Sequence, residues 1–359
     1  MKAILVLEDG KCFNAKSDLD AECFGEVILN TAVVGYQEML TDPANAGKIL
    51  VLTYPLIGNY GAAPKFSESN KVWLSALVVK EKSRIYSNFQ AKSSLDDFLK
   101  EKNAFAIYGL DTRTLAVYLR EKGPLFGLIS TKELDPKKIT EKINQVKKQP
   151  AQTFLPEVSI SRPKIIGKGK KLAVLDLGVT NSLLRQLEAL GFSLNIFPYN
   201  ASAKQILSIN PRGLVISGGP ENDPGLKQVV LNIKPLIGRL PILGVATGCQ
   251  IIASSLGVGL IRLRLGHRGA NYPLARPGSF KGEITTQNHG YVMDHDALGK
   301  VKGLKVTAYN LNDHTPEEIE SKALKLIGAQ YIPVSSGFSQ LNPVLIKFNK
   351  LLGGKNAKA

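Results

Sequence analysis

One turn of the sequence has the residue types and spacing of a nucleophile elbow, but its apex carries no nucleophile. The turn covers residues 244–250, between an apolar run and a helical pattern. In such a strand–turn–helix geometry the apex residue is held out of the strand, and the helix N-terminus would lower the pKa of a thiol placed there. The apex residue is Ala246, whose methyl group cannot attack a carbonyl carbon.

Two other segments are expected beside this turn. Residues 215–224 run from an apolar strand into a loop of glycine and proline, whose backbone amides can face an oxyanion. Residues 328–334 form a strand that ends in a proline turn. Because ligands bind beyond the carboxyl ends of the strands in an open α/β sheet, the three segments predict one site at one sheet edge.

The elements that must position this site alternate between strand and helix from Lys171 onward. The continuous apolar strands are typical of a parallel sheet that is covered on both faces, so the second domain is predicted to be a doubly wound parallel sheet. The predicted strands are Leu172–Asp176, Leu194–Phe197, Gly213–Ser217, Pro241–Val245 and Leu326–Tyr331, and the predicted helices are Asn181–Leu190, Gln250–Leu256 and Pro343–Leu352.

The preceding part of the chain is predicted to be a separate mixed α/β domain over residues 1–149. A proline- and glycine-containing segment, 150–170, is interpreted as a linker without regular structure, which leaves 171–359 as the second domain. The predicted strands of the first domain are Lys2–Leu7, Glu26–Asn30, Lys48–Thr53 and Leu74–Val79, and its helices follow an N-cap at Ser94 and start again at Thr112.

Composition excludes several classes of protein. Apolar residues make up 44% of the 359 residues, but no segment approaches the ~20 consecutive apolar residues of a membrane helix. The three cysteines have neither metal-ligand nor disulfide-framework spacing, so we expect no metal and a cytoplasmic location. The formal net charge of +16 leaves nucleic-acid binding as a weak hypothesis, because no nucleic-acid-binding motif accompanies it.

The motifs as a set resemble two related families. The elbow, the 215–224 loop and the final strand resemble class I glutamine amidotransferases, and the longer motifs resemble the small subunit of carbamoyl phosphate synthase. These longer motifs are residues 25–31, 35–43, 53–61, 108–113, 126–130, 266–273 and 286–291. The resemblance covers almost the whole chain and implies that residues 171–359 form a class I glutamine amidotransferase-like domain.

The resemblance also implies a reaction and a partner. In the family, the small subunit hydrolyses glutamine, and a large subunit uses ATP to combine the ammonia with bicarbonate in pyrimidine and arginine biosynthesis. We therefore expect a large-subunit partner that holds the ATP and Mg²⁺, and no cofactor in this chain. Glutamine is expected at most as a bound molecule that is not cleaved.

The catalytic triad of the family is missing when it is carried over position by position. Ala246 stands at the nucleophilic cysteine, Ile332 at the histidine and Val334 at the glutamate. Replacing both members of a buried polar pair by apolar groups can be nearly neutral for stability, so we expect Ile332 and Val334 to have relaxed toward packing. The resemblance thus predicts a glutaminase-like domain with no catalytic residues.

The glutamine pocket is altered as well. By resemblance, Ala44 replaces a serine, Thr247 replaces a leucine, and Glu221 adds bulk and negative charge in place of a glycine. The pocket positions that the resemblance assigns are Ala44, Gly219, Glu221, Thr247, Gln250, Asn288, Gly290 and Tyr291.

Three functions remain open at this point. The favoured hypothesis is a small subunit that cannot hydrolyse glutamine and acts as a scaffold for an ammonia-using large subunit. The second is a non-enzymatic binding or regulatory paralogue that no longer pairs with a synthetase. The third is a glutaminase with rearranged chemistry at Cys249, which is disfavoured because Cys249 lies nearly one helical turn beyond the apex and should point away from it.

Overall fold

A computed structural model describes residues 1–335 and 340–354 of the chain. The chain forms two compact units, Met1–Gln152 and Thr153–Ala359. Within the described residues, no helix combines the length and the apolar character that crossing a membrane requires.

The first unit is a closed barrel of seven strands. Its strand order is β1-β2-β8-β6-β4-β3-β9, and β9 closes the barrel by pairing antiparallel with β1. Gly127 in β9 allows this closure, because a Cβ there would lie 2.9 Å from Val27 and 3.0 Å from Leu5 inside the barrel. The strands are β1 (Lys2–Leu7), β2 (Cys12–Ser17), β3 (Glu22–Asn30), β4 (Ile49–Leu52), β5 (Leu56–Ile57), β6 (Ala76–Val78), β7 (Glu81–Lys82), β8 (Ala106–Tyr108) and β9 (Leu125–Ser130); β5 and β7 form a separate pair.

The helices of the first unit are α1 (Tyr36–Thr41), α2 (Leu95–Glu101), α3 (Thr112–Lys122) and α4 (Pro136–Lys147). The predicted N-cap at Ser94 is confirmed, and Asp97 completes a capping box with it. Helix α4 was not predicted; it packs Ile139 and Ile143 onto the outside of the barrel.

The second unit is built on a ten-stranded sheet, and its centre confirms the predicted doubly wound arrangement. Five parallel strands stand in the order β12-β11-β13-β14-β19, with α6 and α11 on one face and α7, α8 and α9 on the other. These elements are β11 (Lys170–Asp176), α6 (Asn181–Ala189), β12 (Phe192–Pro198), α7 (Ala203–Ser208), β13 (Leu214–Ile216), α8 (Leu226–Ile233), β14 (Ile242–Val245), α9 (Thr247–Ser255), β19 (Leu326–Ala329) and α11 (Pro343–Leu351).

The sheet continues with antiparallel strands that the sequence pattern did not predict. On one side they follow the order β18-β17-β15-β16, and β15 and β16 form a long hairpin with two register shifts. These elements are β15 (Leu260–Ala275), β16 (Gly282–Met293), α10 (His295–Lys300), β17 (Lys305–Asn310) and β18 (Pro316–Ser321).

The prediction that residues 150–170 form a linker without regular structure is wrong. The segment contains α5 (Leu155–Val158) and β10 (Lys164–Ile166), and β10 pairs antiparallel with β12 at the sheet edge. Two buried carboxylates hold its backbone: Asp223 accepts from the amide of Phe154 at 2.6 Å, and Asp176 accepts from that of Ile160 at 2.8 Å. Most of this segment therefore belongs to the second unit. Residues 355–359, the last five of that unit, lie outside the described part of the chain.

Candidate functional site

The elbow has the strained backbone of a nucleophile elbow although it carries alanine. Ala246 joins β14 to α9 with φ 49° and ψ −115°, a left-handed conformation that L residues rarely adopt. The flanking glycines make the sharp turn possible. A Cβ on Gly248 would lie 2.1 Å from the carbonyl oxygen of Ile216, and a Cβ on Gly244 would lie 2.5 Å from that of Gly248.

The side chain of Ala246 is part of a hydrophobic core. Ala246 is 9% exposed and belongs to the same core cluster as Val245, Ala329 and Tyr331. Its amide donates to the carbonyl oxygen of Ala329 at 2.7 Å, which ties the apex to the neighbouring strand β19. The apex therefore offers a packed methyl group and no group that can react with an amide.

The two other triad positions follow β19. Ile332 pairs with Thr286, whose carbonyl oxygen accepts the Ile332 amide at 2.9 Å. Val334 is 37% exposed, so the expectation of apolar packing is wrong for this residue. The polar link in this turn comes from α6 instead, because Gln186 donates its Nε2 to the carbonyl oxygen of Pro333 at 2.6 Å.

Cys249 lies on the other side of the sheet from Ala246. Its side chain is fully buried, with Sγ 3.7 Å from Sδ of Met293 and against Gly328. Burial raises the pKa of the Cys249 thiol, and the charges of Glu317 and Glu318 raise it further. A buried thiol with a raised pKa is not the thiolate that nucleophilic attack requires.

The loop after β13 meets the elbow through a carboxylate. Glu221 Oε1 accepts from Nε2 of Gln250 at 2.7 Å, and its Oε2 accepts from the amide of Gly290 at 2.6 Å. The amide of Tyr291 lies 3.4 Å from Oε1. Four of the predicted pocket positions therefore lie together in the structure. Glu221 supplies a carboxylate, and Gln250, Gly290 and Tyr291 bind it.

Thr247 holds the same loop from the elbow side. Its hydroxyl donates to the carbonyl oxygen of Gly219 at 2.6 Å, a bond that leucine cannot make. Only glycine fits at 219, because a Cβ would lie 1.9 Å from the carbonyl oxygen of Leu177. An ideal Cβ on Gly218 would lie 3.5 Å from the Ala246 methyl, so the loop runs closely over the apex.

The two remaining predicted positions are placed as follows. Asn288 lies two residues before Gly290 on β16, where it pairs with Arg268 of β15. Ala44 lies in the first unit, in a short 3-10 turn over Pro43–Asn45, and its amide donates to Oδ1 of Asp42 at 2.9 Å.

A buried polar network lies under the antiparallel part of the sheet. His267, His289 and Glu317 place ligand-type atoms within 4.8 Å of one another. Each of the four ring nitrogens nevertheless already has a hydrogen-bonding neighbour. Oε1 of Glu317 accepts from the amides of Gln287 at 2.7 Å and Asn310 at 2.8 Å. The cluster is thus explained as a hydrogen-bonded network.

Burial in this network shifts the pKa of two of its members. It raises the pKa of Glu317 to about 7, because the ionised carboxylate is cut off from water. It lowers the pKa of His267, against the opposing effect of Asp313.

Sequence reasoning missed Arg268. This arginine is 7% exposed, and its Nε has no hydrogen-bond partner among the described residues. The position that a Cβ on Gly290 would occupy lies 2.9 Å from Nη2 of Arg268 and 3.6 Å from Oε2 of Glu221. The guanidinium therefore lies against the glycine that binds Glu221. The sequence gives no signal that Arg268 is buried.

Comparison with known proteins identifies both halves of the chain. The family model described as carbamoyl-phosphate synthase small chain, CPSase domain, matches residues 5–129, and that of class-I glutamine amidotransferase matches residues 173–343. The chain belongs to the carbamoyl phosphate synthase small chain family. The resemblance expected from the motifs is confirmed over nearly the full length.

Individual members of the family cover the chain almost completely. The carbamoyl phosphate synthase small chain of Syntrophotalea carbinolica is 36% identical over 94% of this chain and 93% of its own length. That of Caldanaerobacter subterraneus is 39% identical over 93% and 91%, and that of Aquifex aeolicus is 38% identical over 93% and 94%.

Proposed function

We propose that this chain is a carbamoyl phosphate synthase small subunit that does not hydrolyse glutamine and serves as a scaffold for a large subunit that uses ammonia. The observation that carries the proposal is the alanine at the apex of an intact elbow. The strained backbone of Ala246 is kept, while the reactive group is absent. Triad chemistry needs a nucleophile, a base and a group that orients the base, and Ala246, Ile332 and Val334 supply none of these.

The rival in which Cys249 acts as the nucleophile is disfavoured by its position. The Cys249 thiol packs in the core on the face of the sheet opposite to the Ala246 methyl, and its pKa is raised. A substrate bound at the elbow would have no path to this sulfur.

The proposed role as a scaffold is supported by the architecture of the chain. The first unit forms a closed barrel and the second a ten-stranded sheet, although the triad residues are absent. In this proposal ATP and Mg²⁺ bind the large subunit, and the complex makes carbamoyl phosphate for pyrimidine or arginine biosynthesis from free ammonia.

The test compares nitrogen donors. The chain is purified with the large subunit encoded in the same genome, and carbamoyl phosphate formation is measured with ammonium and with glutamine. We expect synthesis with ammonium and none with glutamine, for the wild type and for Cys249→Ala alike. Glutamine-driven synthesis would refute the proposal. Failure of the two chains to copurify would instead favour the non-enzymatic regulatory paralogue.

A further inference from the structure

The carboxylate of Glu221 is bound as a ligand would be. Three donors from two different elements converge on it: the side-chain amide of Gln250 on α9 and the backbone amides of Gly290 and Tyr291 on β16. The two shortest of these contacts are 2.7 and 2.6 Å, in the range of charge-assisted hydrogen bonds. Glu221 and Gly290 are 69 residues apart in sequence, so local chain geometry does not impose this contact.

The loop that presents Glu221 is fixed on both sides. On one side, the hydroxyl of Thr247 holds the carbonyl oxygen of Gly219 at 2.6 Å. On the other, Asp223 accepts from the hydroxyl of Thr153 and from the amide of Phe154, both at 2.6 Å. Because the carboxylate is held in place before any ligand arrives, a free carboxylate must compete with a group whose ordering entropy is already lost.

The donors define the chemical class of a competing ligand. Two backbone amides and one side-chain amide form a receptor for a single carboxylate. We propose that Glu221 is an intramolecular ligand that fills a carboxylate-binding site made by Gln250, Gly290 and Tyr291, and that its removal opens this site to the carboxylate of a free amino acid. The inference rests on the proposed function in one respect, the choice of L-glutamine as the probe.

The test uses two glycine variants of the same loop. Glu221→Gly removes the carboxylate. Asn222→Gly is the matched control, because Asn222 is an exposed neighbour with φ 55° whose replacement loosens the loop but keeps Glu221. L-glutamine binding is measured by isothermal titration calorimetry on the full chain. We expect Glu221→Gly to bind at least about 10-fold more tightly than the wild type and Asn222→Gly to bind like the wild type.

A second measurement reports on the site itself. In protein labelled with ¹⁵N-glycine, the Gly290 amide proton should move upfield in Glu221→Gly, because it loses a hydrogen bond of 2.6 Å to a carboxylate. Titration with L-glutamine should return it downfield. Wild-type protein that binds glutamine as tightly as Glu221→Gly would overturn the proposal, and so would a folded Glu221→Gly variant whose Gly290 signal does not respond to glutamine.

Release of glutamate is recorded in the same samples. Hydrolysis by the wild type would refute the proposed function but would leave the assignment of Glu221 to be decided by the binding and amide data. The two proposals therefore fail on different readouts.

Discussion

The amide of Cys249 donates to the carbonyl oxygen of Ala246 at 2.9 Å, yet the two side chains enter hydrophobic cores on opposite faces of the same sheet. The elbow causes this separation. Ala246 has a left-handed backbone and packs toward α6 and α11, whereas Cys249 is already inside α9 and faces β18 and β19. Proximity in sequence therefore does not make Cys249 a substitute for the missing nucleophile.

Restoring the nucleophile alone should not restore hydrolysis. We expect Ala246→Cys to release glutamate no faster than the wild type, because Ile332 cannot act as the base. In a serine-protease triad, loss of the histidine alone costs a factor on the order of 10⁶ in kcat. Glutamate release is measured for Ala246→Cys beside Ala246→Ser, a control of similar size. A rate for Ala246→Cys more than about tenfold above both other proteins would contradict the prediction, because it would mean that a thiol at the apex works without a histidine base.

The thiol of Cys249 should be protected in the native protein. Its sulfur is fully buried and its pKa is raised, whereas Cys12 is exposed. We expect iodoacetamide at pH 8 to modify Cys249 at least about 100-fold more slowly than Cys12, because alkylation needs an accessible thiolate. Peptide mass spectrometry over a time course measures both rates. Labelling in urea is the control, in which the two cysteines should react alike; equal rates in the native protein would contradict the prediction.

The central sheet was predictable because its strands are continuous apolar runs. Each of the five predicted strands of the second domain coincides with an observed strand to within a few residues at either end. The elbow was predictable for a different reason, because the glycines at 244 and 248 are visible in the sequence. The structure requires both of them, since carbonyl oxygens would collide with any Cβ at these positions.

The antiparallel hairpin of β15 and β16 was not predictable in this way. Its burial pattern does not alternate regularly, and two register shifts interrupt the pairing. The partners of Glu221 were equally hidden. Its charge is visible in the sequence, but its contact with Gly290 arises only when β16 is placed beside α9. Tertiary packing therefore determines the pairing of β15 with β16 and the partners of Glu221, which local sequence patterns do not predict.

Alanine at position 248 should destabilise the second unit. In an ordinary helix, Gly→Ala stabilises by roughly 0.5–1 kcal/mol. At Gly248 the added Cβ would lie 2.1 Å from the carbonyl oxygen of Ile216, so the elbow must shift. We expect Gly248→Ala to lower the free energy of unfolding by roughly 2 kcal/mol, within the range for overpacked sites. Urea unfolding followed by circular dichroism measures the change.

Gly259 provides the control for that substitution. A Cβ at Gly259 would meet nothing within 4 Å, and its φ is outside the left-handed region. We expect Gly259→Ala to change the free energy of unfolding by no more than about 0.5 kcal/mol. Equal effects of the two substitutions would show that the contact with Ile216 does not restrict the elbow.

The buried carboxyl of Glu317 should make stability depend on pH. Its pKa is raised from 4.5 to about 7 in the folded protein, so the folded state holds the proton more tightly than the unfolded state. Glu317 thus contributes stability below pH 4.5 that is lost as pH rises through 7, by an amount on the order of 3 kcal/mol. Neutral Glu317→Gln keeps the shape of the side chain but cannot ionise.

Comparing Glu317→Gln with the wild type separates this effect from titrating groups that do not contact Glu317. His267 acts in the opposite direction, because its lowered pKa costs stability as pH falls below 6.5. Its Nδ1 lies 3.8 Å from Oε1 of Glu317, so its contribution cancels between the two proteins only above that pH, where the imidazole is neutral. We therefore expect the difference in urea midpoint between variant and wild type to be small at pH 5 and to favour the variant increasingly up to pH 8. A difference that does not change between pH 5 and pH 8 would mean that Glu317 ionises in the fold as easily as in the unfolded chain. In that case the amides of Gln287 and Asn310 would compensate fully for its burial.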